Sequence, residues 1–433
     1  MVTTIIVSVI TFILIITSLL IFPTIKIGEI HIDSYWTIAL VGAIVLLVCQ
    51  KVPFDEVIKE LTASNAINPI KILILFFSMT IISIFLDEFG LFRYLACRAT
   101  RKAKGNQYIL FFVFYGLTSI LTVFTSNDVV ILTLTPFICF FCKNAKINPL
   151  PYLIAEFAGA NTWSLMFIIG NPTNIYLATS ANITFIEYFE MMIIPTIAAG
   201  ITEIIIIFFL FKNKLRKSLE ISEEKYQIPN KIDLFVGIFH LLVCLVFLVI
   251  SSYIHLEMWL ISLISALSLL AYSIISRIIT NKNWNCIFHS LKRLPYQLIP
   301  FFLSMFVIVV AINYQGISKH LADFLGNKNT IFVYGYSSFI SCNVINNIPM
   351  SILFSNLATH LSDQAYIEAI YASIVGSNIG AFLTPIGALA GIMFSHLVKE
   401  HNIKFSFIDF SKYGIIIAIP TITICLVALF LVF

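Results

Sequence analysis

Charge is scarce in this sequence. Its 26 Lys and Arg and 22 Asp and Glu make up 11% of 433 residues, and 59% are hydrophobic, whereas soluble domains carry roughly 25% charged and 45–50% apolar residues. A water-soluble fold is excluded, and with a mean hydropathy of +0.98 the chain belongs in lipid. Several chemistries are missing as well. No Gly-x-x-x-x-Gly-Lys-Ser/Thr phosphate loop occurs, so the chain is not a primary pump energised by its own nucleotide site. There is no Gly-x-Ser-x-Gly elbow, metal-binding His/Glu cluster or paired carboxylate, which argues against a membrane-embedded enzyme. The net charge of +4 is a small excess held in a few loops, and no nucleic-acid partner is expected. The eight cysteines are scattered through apolar segments, and Cys139 and Cys142 sit inside one as packing thiols. No basic leader precedes the first apolar stretch, which reads as a retained helix and not a signal peptide.

Apolar segments cover residues 2–22, 34–50, 69–86, 108–142, 150–180, 185–211, 232–253, 257–275, 295–314, 330–360, 365–399 and 414–433. A bilayer core takes about 20 residues per helix, so the segments starting at 108, 150, 330 and 365 are too long for one span. Each carries polar, Gly or Pro residues midway, where a lipid-facing helix should not be interrupted. They read as helical hairpins or broken helices. The one long hydrophilic stretch, 212–231, holds Lys212, Lys214, Arg216, Lys217, Lys225 and Lys231 and predicts a cytoplasmic basic linker between a first transmembrane repeat, 1–211, and a second, 232–433. Arg93, Arg98, Arg101, Lys102 and Lys104, and likewise Lys282, Lys292 and Arg293, mark further cytoplasmic faces. Both termini then fall outside.

The two halves echo each other. Phe76-Phe77-Ser78-Met79 with Gly90 returns as Phe301-Phe302-Leu303-Ser304-Met305 with Gly316, the Met and the Gly both displaced by 226 positions. Asn127-Asp128 returns as Asn346-Asn347, and Gly159-Ala160-Asn161 with Gly170 as Gly376-Ser377-Asn378 with Gly387. Matches in one order at nearly constant offset indicate an internal repeat. The fold class expected is an all-α polytopic membrane protein made of two inverted repeats with re-entrant helical hairpins and broken transmembrane helices, the plan of many secondary transporters.

Three constellations carry the chemistry. Thr125-Ser126-Asn127-Asp128 lies at a hairpin tip, where helix-end backbone groups need partners, and Asp128 adds a carboxylate that is costly in a membrane and so suggests function. Its counterpart is the stretch from Asn343 through Asn346 and Asn347 to Pro349. The second constellation joins Gly159, Asn161, Thr162 and Ser164 to Gly170, Asn171, Pro172, Thr173 and Asn174. The third joins Gly376, Ser377, Asn378 and Gly380 to Thr384, Pro385 and Gly387. Gly and Pro there should unwind helices and free carbonyls as hard ligands for sodium or as hydrogen-bond partners for a hydroxylated solute, and half-helix N-termini favour an anion. Glu156 is a proton-relay or structural carboxylate, Glu203 and His240 read as structural or interfacial, and Cys342 alone is too little for an arsenic ligand.

Ser126-Asn127-Asp128 through Pro136, Ala160 through Leu165 with Asn171 and Asn174-Ile175, Asn346 through Pro349, and Gly376 through Gly380 with Thr384 through Leu389 together resemble the arsenical pump membrane protein family of the ion transporter superfamily, which also holds citrate and dicarboxylate symporters and sodium/proton antiporters. The resemblance runs from about Phe76 to His396. It implies two re-entrant hairpins and two broken helices around one site worked by alternating access, in the plasma membrane of a prokaryote. It also implies a lipid bilayer and a small ion or solute as partners, and allows for a homodimer. No cofactor or resident metal centre is implied beyond a coupling Na+ or H+, with sodium at Asn127, Asn161, Asn346 and Asn378. That family usually has acidic residues where this chain has Asn161 and Asn378, and Pro-Lys where it has Ala381-Phe382. Asparagine on both sides is similar to the sodium-coupled branch. The function expected is secondary transport of a small anion or arsenite-like solute on a sodium or proton gradient. Sodium-coupled citrate or dicarboxylate symport and sodium/proton antiport are the alternatives.

Overall fold

The structure is a computed structural model that describes every residue except 23, 28, 29, 63–67, 104, 217–226, 252 and 281–282. Its helices run through one order twice. The first pass is α1 (Val2–Ile21), α2 (Ser34–Val48), α3 (Phe54–Thr62), α4 (Pro69–Glu88), α5 (Leu91–Lys102), α6 (Gln107–Phe124), α7 (Asn127–Asn144), α8 (Leu150–Trp163), a 3-10 turn (Ile168–Gly170) leading into α9 (Pro172–Ser180), and α10 (Phe185–Phe211). The second pass is α11 (Lys231–Ile250), α12 (Met258–Thr280), α13 (Asn285–Lys292), α14 (Leu298–Tyr314), α15 (Ile317–Leu325), α16 (Thr330–Ile345), α17 (Asn347–Ala358), α18 (Asp363–Gly380), α19 (Leu389–Glu400) and α20 (Phe407–Val432). The four overlong segments are the pairs α6–α7, α8–α9, α16–α17 and α18–α19, each interrupted as the pattern requires. Lys104, Lys217, Lys225 and Lys282, and with them the middle of the basic linker, lie outside the described residues.

Contacts at the helix ends show that the repeats are inverted. Arg293, just ahead of α14, pairs with Asp87 at 2.6 Å and Glu88 at 2.8 Å at the end of α4. Gln315, just past α14, donates to the Lys51 carbonyl at 2.8 Å, upstream of α4. The equivalent helices α4 and α14 therefore run in opposite directions. The packing follows the same exchange: α4 lies on α12 as α14 lies on α2, and α10 lies on α20. α10 and α20 also begin with matching capping boxes, Thr184-Phe-Ile-Glu187 and Ser406-Phe-Ile-Asp409, a repeat signal that the sequence reading passed over.

Short amphipathic helices α3, α5, α13 and α15 and a β-hairpin, β1 (Thr24–Ile27) and β2 (Ile30–Asp33) with Thr24 opposite Asp33, were not anticipated. The basic run from Arg93 to Lys102 is α5 and not a loop. Each breaks the apolar run with charge, so hydropathy alone passes over it. Among the described residues, six helices are long and apolar enough to cross a membrane: α4, α6, α10, α11, α12 and α20. α14 and α15 would add a seventh span if taken as one, although a 79° bend separates them. The chain is thus an integral, multi-pass membrane protein. Its outer surface is apolar, with Phe239, Leu242, Val246, Ile264 and Ile416 exposed, while Asn127, Asn161, Asn174 and Asn378 are buried inside, as a lipid solvent requires.

Basic residues are divided unevenly between the two ends of the bundle. Among the described residues, Lys51, Lys59, Lys71, Lys319 and Lys328 fall at the end that holds both chain termini. The other basic residues, including those of α5, Lys143, Lys212 and Lys399, fall at the opposite end, called here the basic face. Arg293 lies on it. Burial works against its charge, but the neighbouring Asp87 and Glu88 carboxylates outweigh that and hold its pKa above the ordinary arginine value. Arg293→Gln should lower stability by about 1 kcal/mol, because the three groups remain partly exposed. Thermal melts at low and high salt check this, with the difference shrinking as salt rises.

Candidate functional site

The two hairpin tips and two helix breaks meet at one small cavity. Its walls are Asn127 and Asp128 from the start of α7, Asn171 and Pro172 from α9, Asn347 and Ile348 from α17, Ala388, Leu389 and Ala390 from α19, and Leu298 from α14. Every wall residue is an N-cap or first-turn residue of a helix, Leu298 being the first residue of α14. Four of these N-termini, those of α7, α9, α17 and α19, belong to the tips and breaks, and each brings the positive end of its helix dipole, roughly +0.5 elementary charge, to the cavity. Asn171 caps α9 by accepting from Thr173 N at 3.1 Å, and Asn346 caps α17 by accepting from Ile348 N at 3.4 Å. The caps of α7 and α19, Ser126 and Ala388, make no side-chain capping bond. The cavity holds about 10 Å³, near the room one water needs, so the site is closed around its ligand position.

Among the described residues, Asp128 is the only ionisable one in that wall. Its backbone N–H bonds Asn127 Oδ1 at 2.9 Å, but its carboxylate makes no hydrogen bond or ion pair among the described residues. Beside it, the buried Ser126 hydroxyl also has no partner there. A half-buried carboxylate without a partner and, two residues earlier in the chain, a buried hydroxyl without one are the strongest local sign of a ligand position.

The other predicted residues divide into braces. Asn127 Nδ2 donates to Asn161 Oδ1 at 3.1 Å, and Asn161 Nδ2 donates to the Phe157 carbonyl at 2.8 Å. Asn378 is a knot. Its Oδ1 accepts from Ser164 at 2.7 Å and Asn171 at 2.9 Å, while its Nδ2 donates to Asn174 Oδ1 at 2.6 Å and the Ile374 carbonyl at 2.8 Å. Because a carbonyl only accepts, the Ile374 contact fixes which way this amide points. Ser377 donates to Thr173 at 2.8 Å, so α18 is tied to the α8–α9 break at several points. In the second repeat, Asn343 donates to the Gly380 carbonyl at 3.0 Å and accepts from Thr384 at 2.6 Å. Asn346 Nδ2 donates to the Ile386 carbonyl at 3.2 Å, and Asn347 N to that of Gly387 at 3.0 Å. Thr162 points away from the cavity to Glu203, and Glu156 accepts from Thr135 at 3.1 Å.

The helix-break assignments need correction at three positions. Gly159 lies inside continuous α8 and Gly376 inside continuous α18, and Pro349 lies in the first turn of α17, where the missing N–H costs nothing. The glycines are there for close approach. A Cβ on Gly376 would strike the Gly335 carbonyl of α16 at 2.5 Å, and one on Gly159 would touch the Tyr115 ring at 3.0 Å. Pro172 does start a helix and Gly380 ends one. Gly170, Pro385 and Gly387 lie in the breaks, and a Cβ on Gly170 would overlap the Ser164 carbonyl. Sequence reasoning missed Leu298, Ile348, Ala388, Leu389 and Ala390 as wall residues, since apolar residues inside apolar segments give no signal.

A second, larger cavity of about 530 Å³ opens at the basic face between Asp87, Glu88, Arg93, Thr133, Phe137, Phe140 and His401. Thr133 and Asp128 are both on α7, five residues or roughly 7.5 Å of helix rise apart. This vestibule ends within about two helical turns of the closed site.

Residues 12–376 match the citrate transporter family. The chain belongs to that family. Relatives similar to the chain include the arsenical pump membrane proteins of Escherichia coli, 24% identical over 82% of this chain and 84% of theirs, and of Yersinia enterocolitica, 26% identical with the same coverage. Among solved structures, the YdaH transporter of Alcanivorax borkumensis, described as having an unusual topology, superposes with a TM-score of 0.58 over 98% of this chain and 97% of its own, at 12% identity. Fold and family agree, and this member of the citrate transporter family is a membrane transporter.

Proposed function

We propose that the chain is a secondary active transporter that carries a small anion by alternating access, driven by a sodium or proton gradient. The observation that carries this reading is the convergence of four helix N-termini on one cavity. Partial positive charges from backbone dipoles favour an anion, and without a Lys or Arg in the wall the anion is held loosely enough to leave. Asp128 supplies the coupling. Ionised, it repels an anion entering the same cavity. Neutralised by a proton, or paired with a sodium ion held by its carboxylate, the Ser126 hydroxyl and carbonyls of the α6–α7 turn, it permits entry. This sign makes the two ligands bind together, which is symport. By the positive-inside rule the basic face is cytoplasmic, so the vestibule is the inner approach and both termini are outside.

The relatives' description as arsenical pump membrane proteins favours a second reading, in which a neutral arsenite-like solute uses the amide and hydroxyl lining. Thermal melts of the purified protein separate the two. Citrate, succinate or sulfate should raise the midpoint in a way that depends on sodium or pH, corresponding to a stabilisation of up to about 2.7 kcal/mol at 100 Kd. A rise with arsenite alone, independent of both, would instead favour the neutral solute.

A further inference from the structure

We infer that Glu203 is a proton-binding site whose state is transmitted to the α8–α9 break. Resting on the transporter reading above, it adds a proton site remote from the cavity. Glu203 lies on α10, fully buried. Its Oε2 accepts from Thr162, and its Oε1 lies 3.0 Å from the Tyr115 hydroxyl of α6. That hydroxyl also lies 2.8 Å from the Gly200 carbonyl and accepts from Trp163 Nε1 at 3.0 Å.

Donor accounting gives two states. Tyr115 has one proton to give. If it donates to Gly200, Glu203 must carry a proton on Oε1 and donate it to the Tyr115 oxygen, whose second lone pair holds Trp163. Every group is then satisfied with no net charge. If Glu203 loses that proton to water, the Tyr115 hydroxyl rotates from Gly200 to the carboxylate, and the last turn of α8 then faces a buried anion. Among the described residues no cation pairs with it. From α6 the titratable neighbour is Tyr115, and on α8 the carboxylate Glu156 lies six residues before Thr162 and bonds Thr135. On α20, Asp409 and Lys412 lie near the start and Cys425 further along, and on α11 Lys231 and Asp233 lie in the first turn while His240 bonds the Val236 carbonyl. Apart from Tyr115, none of these makes a hydrogen bond or ion pair with Glu203 among the described residues.

Placement links the site to transport. Thr162 and Trp163 are the last two residues of α8, directly before the break that delivers Asn171 to the cavity wall. Gly200 is fitted to the indole, since a Cβ there would meet Trp163 Cε2 at 2.7 Å. The second repeat has no equivalent. By the register of the capping boxes Glu203 corresponds to Cys425, and by that of the hairpin tips Tyr115 corresponds to Tyr334, whose hydroxyl has no partner among the described residues. An architectural requirement of the fold would appear in both halves.

The test uses the full chain with Trp36, Trp259 and Trp284 replaced by Phe, leaving Trp163 as the emitter. A single-proton change in its emission is expected as pH rises. It should vanish in Glu203→Gln and move to higher pH in Tyr115→Phe, which removes the donor that stabilises the carboxylate. No change, or the same change in Glu203→Gln with Tyr115→Phe unshifted, overturns the inference. In proteoliposomes, uptake by the parent protein should vary with pH across the same midpoint and be flat in Glu203→Gln. If no substrate moves at all, the transport reading fails while the titration stands.

Discussion

Asp128→Asn should bring gradient-driven uptake down to the level of protein-free liposomes, a loss of roughly 100-fold or about 2.7 kcal/mol, while leaving the protein as stable as before or slightly more so. The two effects have one cause. Asparagine keeps the size and the first-turn position in α7, but it can neither take a proton nor hold a cation as a carboxylate does. The Asp128 side chain makes no hydrogen bond or ion pair among the described residues, so its replacement breaks none, and it removes a charge that is costly at membrane depth. Uptake assays paired with thermal melts check both halves. A variant that melts well below the parent would mean that Asp128 is structural, and undiminished uptake would remove it from the coupling step.

Asn378→Ala should impair both stability and transport. Asn378 is fully buried and makes four hydrogen bonds that join Ser164, Asn171, Asn174 and Ile374. Polar contacts between membrane helices average about 0.6 kcal/mol each, so the bonds alone amount to roughly 2–3 kcal/mol. The polar groups left without partners add to that. Transport should fall too, because Asn171 is both a wall residue and a partner of Asn378. Asn378→Asp should not rescue it. The Ile374 carbonyl and the Asn174 oxygen both require a donor from residue 378, which an ionised carboxylate cannot supply. The same donor requirement gives a physical reason for an amide here in place of the acidic residue suggested by the arsenical pump resemblance. A melt of Asn378→Ala within a degree of the parent would show that the knot is unimportant.

Much of this architecture was legible in the sequence because lipid imposes simple rules. Uninterrupted apolar length gave the spans, and polar or Pro residues in mid-membrane located the breaks at 125–126, 164–171, 346 and 381–388. The repeated Asn-Asp and Gly-x-Asn motifs identified the residues that meet at the centre. Other features depend on partners distant in sequence. Asn378, Thr162 and Asn343 are braces and not wall residues, which depends on which neighbours reach their amides and hydroxyls. Gly159 and Gly376 look the same in sequence as the glycine at 170, yet serve close helix packing. Glu203 drew little attention as a single carboxylate in an apolar run, and only the meeting of α6, α8 and α10 gives it Tyr115 and Trp163.

The most direct test of secondary anion transport is uptake into proteoliposomes containing the purified protein, with sodium or proton gradients imposed separately and citrate, succinate, sulfate and arsenite offered in turn. The structure predicts that an anion is accumulated only when an inward sodium or proton gradient is present, and that Asp128→Asn removes the accumulation. Gradient-independent movement of every substrate, or accumulation that survives in Asp128→Asn, would contradict it.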